Sequence, residues 1–285
     1  MRFVVLGPVA VAHDGAAASL ARSQRRGLLA LLLLNANRIV TLDAIMEAMW
    51  AGTAPPTARK QIHSAVHAIR VWLREYGAEQ AVHGDRSGYA VSVRPDELDL
   101  ADFQSQWQRG RSAAAAGQTA EAVGMLRSAL RVWSGPALAG ASGAFVDGAR
   151  ARLEDQRLTA VEDVIECELA LGRHRGVLVE FGDLADRHPL RERLHGHVML
   201  ALYRSGRQPE ALQAYRRLRR LLAEGQGLDP GRSLRALHDA LLREDPELDG
   251  VTPAEVRWSP APVWPTFAAS SRCASRWSTS CPGCR

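Results

Sequence analysis

The chain is short of several things at once, and each shortage removes a class of protein. Four of its 285 residues are cysteine; Cys273, Cys281 and Cys284 crowd into the last 13 positions, and Cys167 stands alone within a helical pattern. That is not the even spread of a disulfide framework. Lysine is almost missing, Lys60 being the single one, and the plentiful Arg and Ala read as the imprint of a GC-rich genome. Arginine number alone is therefore no argument for guanidinium chemistry. No apolar run reaches the roughly 18 residues of a membrane span. The strongest, Leu28 to Leu34, is bounded by Arg22, Arg25 and Arg26 before it and Asn35 after it. The opening residues from Met1 to Leu6 hold no long apolar stretch and no small-residue cleavage site, so a cytoplasmic, nucleoid-associated protein with no membrane partner is expected.

Catalytic patterns are missing as well. No glycine-rich phosphate loop, HExxH, GxSxG or pair of catalytic carboxylates stands in a convincing context, so neither an enzyme nor a cofactor is expected. His63 and His67 have the i, i+4 spacing that can chelate a metal, but their basic neighbours disfavour a divalent cation. Cys281 and Cys284 form a CxxC with only Cys273 near and no histidine after His238, too few ligands for zinc. No metal site is expected.

The charge that is present is unevenly placed. Residues 1–96 carry 11 basic against 7 acidic side chains, residues 97–249 carry 21 against 23, and residues 250–285 carry 4 against 1. A basic first domain (1–96), a neutral second domain (97–249) and a tail (250–285) follow. From Val251 the tail loses all periodicity, and it is expected to be disordered or aberrant, the product of truncation or out-of-frame reading.

Within residues 1–96, Phe3–Leu6 and Val9–Val11 around Gly7-Pro8 read as two short strands. Leucines from Leu28 to Leu33 suit a buried first helix starting near Ser23. Thr41 caps a second helix that runs to Trp50, and Ala51–Pro56 is a loop. The third helix, 57–74 with Pro56 in its first turn, sets Ile62, Val66, Ile69 and Leu73 at i, i+4, i+7 and i+11, an inward stripe. Its other side carries Arg59, Lys60, His63, Ser64, His67, Arg70 and Arg74. A helix-turn-helix divides its third helix in this way, one face packed and one presenting donors to phosphates and to guanine O6 and N7. Ala81–His83 and Tyr89–Val93 then flank a glycine-edged tip holding Arg86, a wing. A charged face is more often merely solvated, and the order of elements is what favours DNA.

The segments FVVLGPVAV, RGLLALLLLNANRIVTLDAIMEAMW, PPTARKQIHSAVHAIRVWLRE and GYAVSV resemble the OmpR-type winged helix of the antibiotic regulatory protein family, SARP. The resemblance implies a third helix in the major groove, through Arg59, Lys60, His63, Ser64, His67 and Arg70, and a wing reaching the minor groove through Arg86. Arg22, Arg25 and Arg26 at the start of the first helix are candidate phosphate contacts. The family's loop after Trp50 usually carries an acid thought to meet RNA polymerase; WAGTAPP has none, and Trp50 is read as core.

After residue 97 the pattern is nearly all helix. Gly172-Arg173 and Gly206-Arg207 lie 34 residues apart, the tetratricopeptide period, with Ala211 and Tyr215 as packing residues. Gly117-Gln118 marks an earlier copy, displaced by an insertion from Ser134 to Gly140. Three stacked helix pairs would form a curved surface for protein partners. WSGPALAG, ARARLEDQRL and the stretch from HPLRERLHGHVML to LLRED are similar to the bacterial transcriptional activation domain (BTAD) that follows the winged helix in SARP proteins.

The fold class expected is therefore mainly α: an N-terminal α+β winged helix-turn-helix and then an all-α tetratricopeptide-like domain. The function the resemblance implies is activation of a secondary-metabolite gene cluster, with a homodimer on tandem direct repeats of double-stranded DNA recruiting RNA polymerase holoenzyme. Two rivals stay open: a repeat-based protein adaptor whose winged helix does not bind DNA, and a ligand-gated regulator.

Overall fold

The computed structural model describes residues 1–84 and 87–250. They divide into two compact units, one made of Met1–Leu98 with Leu138–Ala149, the other of Asp99–Ala137 and the chain from Arg150 onward.

The first unit opens with an antiparallel sheet of β1 (Arg2–Val4), β2 (Ala10–His13) and β3 (Ala16–Ala18), in that order. Phe3 faces Val11 across β1 and β2. The third strand has an alanine sequence with little strand preference and was not anticipated. What forms it is the tip before it, Asp14-Gly15, whose φ values of 48° and 80° make the two-residue turn that matches the twist of paired strands. The helices α1 (Ser23–Leu34), α2 (Leu42–Trp50) and α3 (Ala58–Arg74) follow, with β4 (Val40–Thr41) leading directly into α2. Thr41 caps α2 as its hydroxyl oxygen accepts from the Ala44 amide at 3.2 Å. Pro56 lies ahead of α3 rather than in its first turn, and Thr57 holds the capping position. A 3-10 turn (Glu79–Ala81) leads into a hairpin of β5 (Val82–Gly84) and β6 (Gly88–Val91), and the second sheet runs β4-β6-β5. This is a winged helix. The wing tip, and Arg86 with it, lies outside the described residues. Phe3, Leu29, Leu32, Leu33, Ile45, Ile62, Ile69 and Leu73 are fully buried. Met49 is buried beside them and Trp50 is only half-buried, so the core position expected for the tryptophan belongs to its neighbour.

A piece of chain from far downstream completes this unit. Residues 138–149 include part of what reads in sequence as an insertion between repeats, yet they bond to the rest of the first unit along its length. Leu138 and Ala139 donate backbone N–H to the carbonyls of Val5 and Gly7 at 3.0 and 3.1 Å, and Val9 returns a bond to Ala139 at 3.2 Å. Ser142 donates to the Ser23 carbonyl at the start of α1, while Ala144 and Phe145 donate to Met49 and Ala48 at the end of α2. These bonds use carbonyls at a helix C-terminus that would otherwise lack partners. Approach at Gly27 is so close that an added Cβ would stand 1.9 Å from the Ser142 carbonyl oxygen.

The second unit is helical: α4 (Asp99–Ala115), α5 (Thr119–Arg131), most of α6 (Val146–Ala170), α7 (His174–Phe181), α8 (Leu184–Arg187), α9 (Glu192–Arg204), α10 (Gln208–Gln226), α11 (Arg232–Leu242) and α12 (Glu247–Gly250). Gly117, Gly172 and Gly206 turn α4 into α5, α6 into α7 and α9 into α10 with φ of 78°, 72° and 75°, the same left-handed turn each time. Leu126, Val164, Ile165, Leu194, Met199, Leu218 and Leu234 form its core. Cys167 is buried among them, and burial pushes its thiol up to about 12, so it is no thiolate at neutral pH. Among the described residues no helix is long and apolar enough to cross a membrane.

Candidate nucleic-acid interface

The candidate interface is built on α3, whose 17 residues span about 25 Å at the usual rise per residue. Ala58, Ile62, Val66, Ile69 and Leu73 are all buried, so the helix is seated by one continuous stripe. Two residues back along the chain from Ile62, Val66, Ile69 and Leu73 is 200° around a helix, nearly opposite. Lys60, Ser64, His67 and Val71 therefore repeat the same spacing on the far side, and all four are exposed. Among the described residues the side chains of Lys60, Ser64 and His67 hold no hydrogen bond or ion pair. They are donors with nothing to donate to. Val71, 43% exposed in the same line, was not singled out from the sequence. An apolar side chain there suits a thymine methyl group.

The other cations on the helix are differently placed. Arg59 is exposed and meets Asp43, in the first turn of α2, at 3.2 Å. Such an open pair is weak and opens at little cost. Arg74 is held by Glu79 through two bonds of 2.8 and 2.5 Å. The hydrogen bond from Arg74 holds the Glu79 carboxyl below the usual carboxylate range, and the same bond raises Arg74. Arg70 is half-buried; its Nε donates to the Val82 carbonyl at 2.9 Å and its guanidinium lies over the Tyr89 ring, 5.9 Å from the centroid. It braces the helix against β5 and β6. His63 is exposed, and its Nδ1 lies 2.6 Å from the Tyr89 hydroxyl.

The three arginines of α1 also divide. Arg22 and Arg25 hold no side-chain ion pair among the described residues. Gln24, between them, donates to Gln61 of α3 at 3.4 Å, which sets the start of α1 beside the first half of α3. Arg26 is spent internally: its guanidinium donates to the carbonyls of Gly140 at 2.7 Å, Leu20 at 2.5 Å and Ala21 at 3.2 Å. It fastens the returning segment to the head of α1. Arg86 lies outside the described residues.

The structure sorts the residues that the sequence marked on α3 by exposure and by partner. Lys60, Ser64, His67, His63 and Arg59 remain outward, with Arg22 and Arg25 nearby. Arg70, Arg74 and Arg26 are taken up by partners that spacing could not reveal. Tyr89, Gln61 and Val71 join the site; of these only Val71 had a sequence signal, its place at i+11 from Lys60.

Comparison with known proteins agrees with this architecture of a winged-helix regulator joined to a helical domain. A family model described as the bacterial transcriptional activator domain matches residues 98–242. Regulatory protein DnrI of Streptomyces peucetius is 34% identical over 258 residues, covering 87% of this chain and 94% of that protein. Regulatory protein AfsR of Streptomyces coelicolor is 38% identical over 266 residues, 93% of this chain. The solved structure of Mycobacterium tuberculosis EmbR in complex with a low affinity phosphopeptide superposes with a TM-score of 0.81 at 36% identity, over 86% of this chain and 65% of that one. This chain spans 26% of the length of AfsR and 64% of the length of EmbR, the transcriptional regulatory protein of Mycobacterium tuberculosis. The chain belongs to the SARP family of transcriptional regulators, which carry the bacterial transcriptional activator domain.

Proposed function

We propose that this protein is a sequence-specific DNA-binding activator of a secondary-metabolite gene cluster, binding tandem direct repeats as two protomers and recruiting RNA polymerase holoenzyme. The observation that carries the DNA-binding part is the outward stripe of α3, with its row of unpartnered donors opposite a fully seated apolar stripe. Lys60, Ser64, His67 and Val71 address the groove floor, with His63 and Arg59 on the flank. Arg22 and Arg25 address phosphates, and Arg86 belongs to the wing. Arg26 and Arg70 position these elements, Arg74 is occupied by Glu79, and none of the three reads DNA. The reader comprises residues 1–98 with 138–149, and the helical residues 99–137 and 150–242 serve the assembly of protomers and polymerase. Kinship with regulators such as DnrI and AfsR supports the transcriptional part.

The test is binding of the full chain to a duplex selected from a randomised pool and to a scrambled duplex, across a salt series. Lys60→Ala and His67→Ala should each weaken the selected duplex by about 1 to 3 kcal/mol and the scrambled one by less. Arg22→Ala should weaken both alike and lower the slope of log K against log salt by about 0.9. No measurable binding to any duplex at low ionic strength would overturn the reading.

A further inference from the structure

The proposed reading leaves open what His63 can recognise, and the bond behind it narrows the answer. Tyr89 sits on β6, 8% exposed, paired to Val40 on β4 and to Gly84 on β5, so its ring is fixed by two neighbouring strands. Its hydroxyl lies 2.6 Å from His63 Nδ1, with the two rings edge to face at 5.9 Å. A phenol O–H is a stronger donor than a neutral imidazole N–H, and the bare ring nitrogen is a stronger acceptor than a phenol oxygen. Tyr89 therefore donates into Nδ1. A neutral imidazole has a single proton, which then resides on Nε2, the nitrogen left for a partner on this exposed side chain. Protonating the ring leaves Nε2 a donor still.

We infer that Tyr89 is a positioning residue that locks His63 as an Nε2–H donor, so that His63 selects a purine N7 or guanine O6 acceptor and rejects the amino groups of adenine and cytosine. This rests on the DNA-binding reading above and adds a rule of base choice to it. Adenine N6 and cytosine N4 are themselves donors, and a fixed donor cannot satisfy them.

The tautomer can be read without DNA, from two-bond nitrogen–proton correlations of the full chain at pH 8. The expected result is Nε2–H in the wild type and a mixture of tautomers in Tyr89→Phe, which keeps the ring and its packing. On a duplex selected from a randomised pool by the wild type, Tyr89→Phe should lower affinity about fivefold, the usual weight of one hydrogen bond. The loss should vanish in a His63→Ala background; on the same duplex built with 7-deazapurines it should vanish where N7 is the acceptor and persist where guanine O6 is. An Nδ1–H tautomer in the wild type would overturn the inference, as would an undiminished Tyr89→Phe loss in the His63→Ala background. An equal loss on a scrambled duplex would assign Nε2–H to a phosphate oxygen and overturn base selection. A wild type that binds no duplex, yet shows the Nε2–H tautomer, would remove the DNA reading while leaving the Tyr89–His63 geometry intact.

Discussion

Both units are rich in arginine, and they use it in opposite ways. In the first unit Arg22, Arg25, Arg59 and Lys60 point outward, and among the described residues Asp43 is the only acid that meets any of them. In the helical unit Arg193 of α9 is half-buried against α6, 2.9 Å from Asp163 and 3.5 Å from Glu162, and also bonds Glu166. Arg191 adds a bond to Glu162 at 3.1 Å, and Arg127 joins Glu168 at 3.0 Å to Glu180 at 2.7 Å. Burial raises the Glu162 and Glu166 carboxyls against the pull of these guanidinium groups. A cation with a carboxylate at hand is a strut, and one left without is an address for an anion. Composition alone cannot tell them apart, because the partners arrive from helices about 30 residues apart in sequence.

The contrast is broken most directly by removing a strut. Arg193→Ala leaves three acids without their shared cation in a largely dry setting and should cost about 3 to 5 kcal/mol in denaturant unfolding. A loss under about 1 kcal/mol would mean that the network contributes no more than the open surface pairs. Acid probes the same interior from the other side. Desolvation, aided by the charge of Arg193, depresses His197 from 6.5 to about 3. Above pH 6.5 both folded and unfolded forms are neutral. Between pH 6.5 and 3 the unfolded chain takes up a proton that the folded one refuses, so stability falls progressively, by up to about 4 kcal/mol at the acid end. The raised pKa values of Glu162 and Glu166 work in the opposite sense, since the folded form takes up those protons first. His197→Leu should flatten the acid limb of an unfolding titration, and an unchanged limb would clear His197 of the effect.

Two smaller effects sharpen the first unit's side. Glycine to alanine inside a helix ordinarily stabilises by about 1 kcal/mol. Gly27→Ala should instead destabilise the first unit by about 1 to 2 kcal/mol and speed amide exchange over residues 138–146, because the new methyl meets the Ser142 carbonyl. Stabilisation with unchanged exchange would show that the returning segment is not held there. Arg74→Ala, which removes only an exposed pair with Glu79, should leave the melting temperature within error of the wild type.

Local signals explain what could be read early. The i, i+4, i+7, i+11 stripe of α3, the Thr41 cap and the glycines 34 residues apart each depend on neighbours within a few turns, and each stands in the structure where the sequence put it. Residues 138–149 carried no such signal. Their bonds go to Val5, Gly7, Ser23, Ala48 and Met49, roughly 95 to 130 positions away, and backbone amides leave no trace in side-chain pattern. Arg26 and Arg70 were opaque for the same reason, since each ends on carbonyl oxygens, and a carbonyl looks alike under every residue.

By itself, then, the sequence determined which face of each helix is apolar, where the chain turns and on which helix the cations collect, because periodicity and turn chemistry are short-range properties. Only the tertiary structure decided which of those cations are free of partners among the described residues, that the first unit borrows a segment from beyond α5, and that a tyrosine on the wing-bearing sheet lies within hydrogen-bond reach of a histidine on α3. Those outcomes depend on which distant backbone groups are brought within about 3 Å, the reach of a hydrogen bond.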